Sequence, residues 1–345
     1  MINESNRLST IAMTQAPPKA IDVSALAAGV RARDRAALAR AITLVESTAP
    51  HHAEAAQGLL EELLPLAGQS IRIGITGAPG AGKSTFIDTF GCLLTERGHK
   101  VAVLAIDPSS SLTRGSILGD KTRMERLSRD RNAFIRPSPT GGVLGGVGPR
   151  TRESILLCEA AGFDVIVVET VGTGQSEITL RSLVDFFLLL LIPGAGDELQ
   201  GIKKGVIEIA DALVVNKADG ENKIAAGAAR AAFNRALRLL APATAGWTTR
   251  AHTASGLTGD GVVEIWEVIL QFAAATKASG IFAARRQEQL RDWLSDAIEA
   301  RLRVYLYAHP SVQAGLPELE AAVLRGDLSA AAAAKKILSL ILPGE

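Results

Sequence analysis

The sequence predicts an α/β protein, a doubly wound and mostly parallel sheet with helical extensions at both ends. Three observations predict it. Between residues 69 and 280, short apolar runs alternate with amphipathic stretches. A glycine-rich segment at 77–84 stands directly after the first of those runs. Beyond about Phe282 the strand-like runs stop, and Ala-, Leu- and Arg-rich helical spacing takes over. Alternation of this kind implies parallel strands joined by right-handed crossovers. Ligands of such sheets bind at the carboxyl ends of the strands.

Taken in order, residues 1–22 are polar with a Pro17-Pro18 pair and read as a disordered lead-in. From Val23 to Leu66, Ala and Leu recur at helical spacing, giving an N-terminal extension (23–68) of two or three helices. The expected strands of the central domain (69–280) are 71–76, 100–106, 133–136, 164–169, 185–192, 211–215 and 246–252. The most apolar of them, Phe186-Phe187-Leu188-Leu189-Leu190-Leu191-Ile192, is far shorter than the roughly 20 residues of a membrane-spanning helix. It reads as a strand buried on both faces. Residues 281–345 form a helical arm, with Tyr305-Leu306-Tyr307-Ala308-His309-Pro310 between two segments. An arm too thin for its own core must pack on something. A dimer partner is the simplest choice, and a clasp over the central domain is the alternative.

Composition excludes several classes. Lys and Arg number 37 against 36 Asp and Glu, so no charge surplus points to nucleic acid or to an anionic membrane as partner. The two cysteines, Cys92 and Cys158, each fall in an amphipathic helical pattern without a metal-like neighbour. Reduced thiols and a cytoplasmic setting are expected. The first residues lack the charged-then-apolar pattern of a secretory signal.

Gly77-Ala78-Pro79-Gly80-Ala81-Gly82-Lys83-Ser84 fits G-x-x-x-x-G-K-[ST], the phosphate loop of nucleoside triphosphatases, and Thr85 continues it into a helix. Glycines let backbone N–H groups turn inward around phosphates. Lys83 then lies on the β- and γ-phosphates, and the Ser84 hydroxyl is a ligand for Mg²⁺. Downstream, the apolar run 211–215 ends in Asn216-Lys217-Ala218-Asp219, which is N-K-x-D. There the Asp carboxylate accepts from the N1–H and N2–H₂ of guanine, a donor pair that adenine lacks. Asn216 and Lys217 brace the base and the phosphate loop. The last strand runs into Thr253-Ala254-Ser255, which resembles the final base-contacting loop of GTPases, and by that resemblance Ser255, Gly256 and Leu257 contact the base. The chain is therefore expected to bind GTP and GDP and to hydrolyse GTP.

Three acids fall at strand ends or loops of the same edge. Asp107 follows the run 101–106, Asp120 lies in Gly119-Asp120-Lys121, and Glu169 ends the run 165–168. Each is a candidate for the metal alongside Ser84, against the plainer alternative of a solvated acid. Glu169-Thr170-Val171-Gly172 is E-x-x-G, where most GTPases have D-x-x-G; the glycine N–H of that motif meets the γ-phosphate. The residue after Gly172 is Thr173, where Ras-like proteins carry the glutamine that orients water. Slow intrinsic hydrolysis is expected, completed by Gln175, by another loop or by a partner. Lys83, Asp107, Glu169 and Gln175 are the candidate catalytic residues.

Together with Ala105-Ile106-Asp107-Pro108-Ser109-Ser110 and Gly119-Asp120-Lys121-Thr122-Arg123-Met124, these motifs closely resemble the MeaB/ArgK family of methylmalonyl-CoA mutase-associated GTPases. The resemblance spans roughly Leu26 to Leu340. It implies a homodimer that binds an adenosylcobalamin-dependent acyl-CoA mutase and couples GTP binding and hydrolysis to cofactor loading and protection of the mutase. By the same resemblance, Asp107, Asp120 and Glu169 surround Mg²⁺, and 113–126 and 170–177 are the first two switch segments. Residues 197–205 match an additional switch that signals to the mutase, with Gln200 and Lys203 as its candidate residues. Alternatives are a nickel-inserting GTPase, which would favour clustered His or Cys ligands, and a kinase, which N-K-A-D disfavours. His51-His52 is the one adjacent histidine pair, and it reads as a solvated helix end. No cobalamin-binding D-x-H-x-x-G run is present, so direct cobalamin binding is not expected.

Overall fold

A fully parallel sheet is covered on both faces, so its strands must be apolar on both sides, and the runs in this sequence supply that. The computed structural model describes residues 21–47, 49–107, 124–139, 149–170, 176–193 and 204–341. Its strands are β1 (Ile71–Gly77), β2 (Val101–Asp107), β3 (Ala133–Pro139), β4 (Val165–Thr170), β5 (Phe186–Leu191), β6 (Ala212–Val215) and β7 (Arg250–Thr253). They form one sheet in the order β3-β2-β4-β1-β5-β6-β7, every neighbouring pair parallel. The chain winds outward through β2 and β3, returns to lay β4 against β1, and continues on the other side through β5 to β7. The order reverses beside β1, so the crevice lies at the carboxyl ends of β1 and its neighbours.

Most strands fall close to the expected runs; two differ. β3 extends beyond residue 136 to Pro139, and it tolerates Pro137 and Pro139 because it is an edge strand. The last strand, expected over 246–252, is Arg250–Thr253. Gly246 takes φ 71°, and the Trp247 N–H bonds the Thr244 carbonyl at 3.1 Å, so the chain turns there. Thr249 Oγ1 donates to the Ala210 carbonyl and Trp247 Nε1 to that of Asp211, both at 2.9 Å. These residues wrap beneath the start of β6 instead of pairing beside it.

The described helices are α1 (Val23–Arg31), α2 (Arg35–Glu46), α3 (Ala53–Leu63), α4 (Lys83–Glu96), α5 (Glu125–Arg129), α6 (Pro149–Ala160) and α7 (Ser176–Arg181), followed by α8 (Lys204–Glu208), α9 (Asn222–Leu237), α10 (Val262–Ala278), α11 (Ile281–Ala308), α12 (Pro310–Leu324) and α13 (Ala330–Ser339). On one sheet face Ile73, Ile75, Val167 and Leu188 pack against Phe86 and Phe90 of α4 and Trp266 and Phe272 of α10. On the other, Leu104, Val168 and Leu189 share a core with α6, α7 and α9. Leu26, Val30, Leu38, Ile42, Leu59 and Leu63 belong to that same core, so α1–α3 are bound to the sheet unit through α6. Cys92 and Cys158 are buried free thiols in α4 and α6, and burial pushes the pKa of each up. Among the described residues no helix is long and apolar enough to cross a membrane.

The amino ends of the strands form a charged floor that fixes the root of the arm. Asp185, which precedes β5, accepts from Arg286 Nε at 2.8 Å, Arg286 Nη2 at 2.7 Å and the Arg72 N–H at 2.8 Å. Gln289 Nε2 donates to the Val184 carbonyl at 2.9 Å. Asp211, which precedes β6, accepts from Arg181 Nη1 at 2.6 Å, from the Phe187 N–H at 2.9 Å and from Thr244 Oγ1. Arg285 donates to Thr244 and to the Asp185 carbonyl, and it lies 3.9 Å from Asp211. Burial and the neighbouring Arg181 push the Arg285 pKa down. Beyond this root, Leu290, Leu294, Ile298, Leu302 and Tyr305 of α11 recur every three or four residues and are between 50% and 64% exposed. That spacing places them along one helix face.

Candidate functional site

The phosphate loop is shaped by what its glycines touch. Gly77 ends β1, and a Cβ there would lie 2.3 Å from the Leu190 carbonyl oxygen, so only glycine lets the loop leave the sheet so close to β5. Gly82 stands at the start of α4 with φ 80°, and a Cβ there would lie 2.8 Å from Asn216 Nδ2. The first N–H groups of α4 have no acceptor within the helix, and the helix dipole adds positive potential at this point. Lys83 is buried, and its Nζ donates to the Gly77 carbonyl at 2.7 Å and the Ala78 carbonyl at 3.3 Å. Its charge thus lies across the mouth of the loop. Ala81 is buried, whereas Pro79, Gly80 and Thr85 are exposed.

Asn216 holds three segments together. Its Nδ2 donates to the Ala81 carbonyl at 2.8 Å, and its Oδ1 accepts from the Gly256 N–H at 3.0 Å. It is 1% exposed, so both bonds are made in a water-poor environment. Lys217 adopts φ 59°, a left-handed conformation that costs a non-glycine residue energy and is concentrated at functional sites. Asp219 is half-buried and accepts from Ser255 Oγ. Ser255 in turn accepts from the N–H groups of Leu257 and Thr258 at 3.2 and 3.1 Å. A Cβ on Gly256 would lie 2.8 Å from the Phe86 backbone, and Thr89 Oγ1 donates to the Gly256 carbonyl at 2.6 Å. The loops after β1, β6 and β7 are therefore pre-assembled around one crevice, with Leu257 exposed at its rim.

Glu169 lies near the end of β4, paired in register with Ile75, and its buried carboxylate accepts from Ser84 Oγ at 3.4 Å. A hydroxyl and a carboxylate beside a helix N-terminus are hard oxygen donors, which fit Mg²⁺ and not softer metals. No group of three or more His, Cys, Asp or Glu converges among the described residues. Mg²⁺ needs none, since it is held by one or two carboxylates together with substrate phosphates and water. Asp107 closes β2, two positions past the residue paired with Glu169, and so ends at the same sheet edge. Asp120, Gly172, Gln175, Gln200 and Lys203 lie outside the described residues.

The order and chemistry of these segments match known proteins. A family model described as methylmalonyl Co-A mutase-associated GTPase MeaB matches residues 38–311. The chain belongs to the MeaB family. It is 56% identical over 320 residues to a putative GTPase of Caulobacter vibrioides, covering 93% of this chain and 98% of that protein. It is 46% identical over 326 residues to the mouse protein described as methylmalonic aciduria type A homolog, mitochondrial, covering 92% of this chain and 79% of that one. A crystal structure described as LAO/AO transport system kinase is 39% identical with a TM-score of 0.71, covering 92% of this chain and 97% of that one. This MeaB-family chain is a GTP hydrolase with guanine nucleotide as its ligand.

Several contacts of the site belong to no motif. Thr89 and the close approach of Gly256 to α4 left no sequence signal, because nothing in one chain announces which glycine meets which helix. The floor did leave one. Asp185 and Asp211 stand directly before apolar strands, and Arg285-Arg286 open the arm, so charges that must be buried have partners elsewhere in the chain.

Proposed function

We propose that this chain is a GTP-dependent chaperone of an adenosylcobalamin-dependent acyl-CoA mutase, working with Mg²⁺ as a cytoplasmic homodimer. The observation that carries this proposal is the match of residues 38–311 to a mutase-associated GTPase family. In this reading GTP binding and hydrolysis gate cofactor loading and protect the mutase from inactivation. Intrinsic turnover is slow and the mutase accelerates it. Residues 23–68 are the N-terminal extension, 69–280 the GTPase domain, and 281–345 the dimerisation arm.

Gly77–Thr85 cradle the phosphates, with Lys83 neutralising charge on the β- and γ-phosphates. Ser84, Asp107, Asp120 and Glu169 surround Mg²⁺, the acids in part through its bound water, and the ion would supply charge neutralisation and orientation of the phosphates when bound. Gly172 donates to the γ-phosphate, and Gln175 is the candidate for orienting water. Asn216, Lys217 and Asp219 read the base, with Ser255, Gly256 and Leu257 closing over it. The Ser255–Asp219 hydrogen bond supports that role, because it fixes the carboxylate whose acceptors meet guanine. Residues 197–205, with Gln200 and Lys203, signal to the mutase.

Base reading has a direct test. Asp219→Asn replaces one acceptor by a donor, so preference is expected to move from guanine towards xanthine in competition binding. Unchanged selectivity would remove Asp219 from the base contact. The arm has its own test. The exposed stripe of α11 supports a helix-to-helix dimer, since an apolar face of that length is unusual on a monomer. Leu294→Glu with Ile298→Glu is expected to yield monomers in sedimentation analysis while GTP binding persists. An unaltered dimer would place the interface elsewhere.

A further inference from the structure

We propose that the buried hydroxyl pair Thr76–Thr170 sets the height of the metal edge over the phosphate loop, which makes Thr170 a positioning residue for GTP hydrolysis. Thr170 Oγ1 donates to Thr76 Oγ1 at 3.0 Å, and the two residues are 0% and 1% exposed. They extend the β1–β4 register by one step beyond the pair Ile75 and Glu169. On the same sheet face Thr76 is level with Leu189, and Val168 stands two residues before Thr170. This layer of the core is otherwise aliphatic, and valine has nearly the shape of threonine. Burying hydroxyls there costs free energy unless each finds a partner, and the pair supplies it.

What a hydroxyl pair adds over two valines is a fixed distance and direction between the ends of neighbouring strands. The β1–β4 ladder fixes the register as far as Ile75 and Glu169 and ends there. One step further, two valines would leave the strand ends in aliphatic contact alone, whereas a hydrogen bond loses strength as its geometry departs from the optimum. Both strand ends carry the site. Gly77, directly after Thr76, opens the phosphate loop. Glu169, directly before Thr170, points to the opposite face, where it meets Ser84. The pair therefore governs where the Glu169 carboxylate stands relative to the loop, without touching nucleotide itself. Outer-shell groups hydrogen-bonded to a metal ligand typically change metal affinity or activity about 10–100-fold when removed. This pair acts on Glu169 through the strand backbone, so an effect from the low end of that range upward is expected. The inference rests on the reading of Glu169 as a metal-edge acid.

The test uses the full chain with Thr170→Val, Thr170→Ser and the double variant Thr76→Val/Thr170→Val. Thermal stability, GDP affinity, single-turnover GTP hydrolysis and its Mg²⁺ dependence are measured for each. Thr170→Val leaves the Thr76 hydroxyl without its partner, so it should be the least stable; the double variant should recover stability. Both should hydrolyse GTP about 10-fold or more slowly and need more Mg²⁺ for half-maximal rate. GDP affinity at saturating Mg²⁺ should stay within about twofold, and Thr170→Ser should retain the parental behaviour. Should Thr170→Val fail to fold, the double variant carries the test alone. Parental rate and Mg²⁺ dependence in the double variant would overturn the proposal and reduce the pair to packing. Glu169→Gln separates the two readings. If it leaves the Mg²⁺ dependence unchanged, the metal edge itself is misassigned; if it shifts that dependence and the double variant does not, only the positioning role falls.

Discussion

Lys83→Ala is expected to lower GTP affinity by about two orders of magnitude, or about 3 kcal/mol, while the protein stays folded. The size follows from removing a charge-assisted donor from a site that is largely shielded from water. Lys83 is 9% exposed, and the carbonyls of Gly77 and Ala78 hold its ammonium at the loop mouth, so the charge is pre-positioned. Stability should change little. Gly77 is held against Leu190 of β5, and Asn216 holds Ala81, both without the lysine. Titration with a fluorescent GTP analogue, paired with a thermal melt, measures both quantities. Parental affinity in a folded variant would contradict the assignment of the phosphate site.

Asp211→Ala is expected to cost about 3–5 kcal/mol of folding stability, the range for removing one partner of a buried ion pair. Asp211 is fully buried and accepts from Arg181, Thr244 and the Phe187 N–H. Without it, Arg181 and Arg285 would face each other with one carboxylate fewer, and these two guanidinium groups already disfavour one another. Replacement also leaves the Phe187 N–H without its side-chain acceptor. Urea unfolding with the slope checked for two-state behaviour measures the loss. Because Asp211 stands at the amino end of β6, remote from the crevice, GTP affinity of the folded fraction should be close to parental. A loss below about 1 kcal/mol, the scale of an exposed pair, would show that the floor does not hold the arm root as described.

The sheet was largely legible in the sequence because parallel strands must be apolar on both faces, so runs such as Phe186–Ile192 stand out against their flanks. The phosphate loop and N-K-x-D were legible for a different reason: their chemistry demands particular residue types at fixed spacing. The last strand begins later than its sequence suggests: Trp247, Thr248 and Thr249 have strand-like character, but Gly246 and the hydrogen bonds to Ala210 and Asp211 turn them under β6. Thr76 and Thr170 looked like ordinary strand residues. Their pairing depends on β4 lying beside β1, and that adjacency follows from the crossover order, which no local pattern encodes. The same holds for Asn216: its spacing in N-K-x-D points to the phosphate loop, but the bonds to the Ala81 carbonyl and the Gly256 N–H depend on where the loops after β1 and β7 pass.

The proposed client of GTP hydrolysis by this MeaB-family chain is an adenosylcobalamin-dependent acyl-CoA mutase. The most direct test is GTP turnover by the purified protein, alone and with such a mutase from the same organism, with ATP as control. The expected result is a low GTP-specific rate that rises manyfold when the mutase is added. A rate indifferent to the mutase would contradict it and leave a GTPase with a different client.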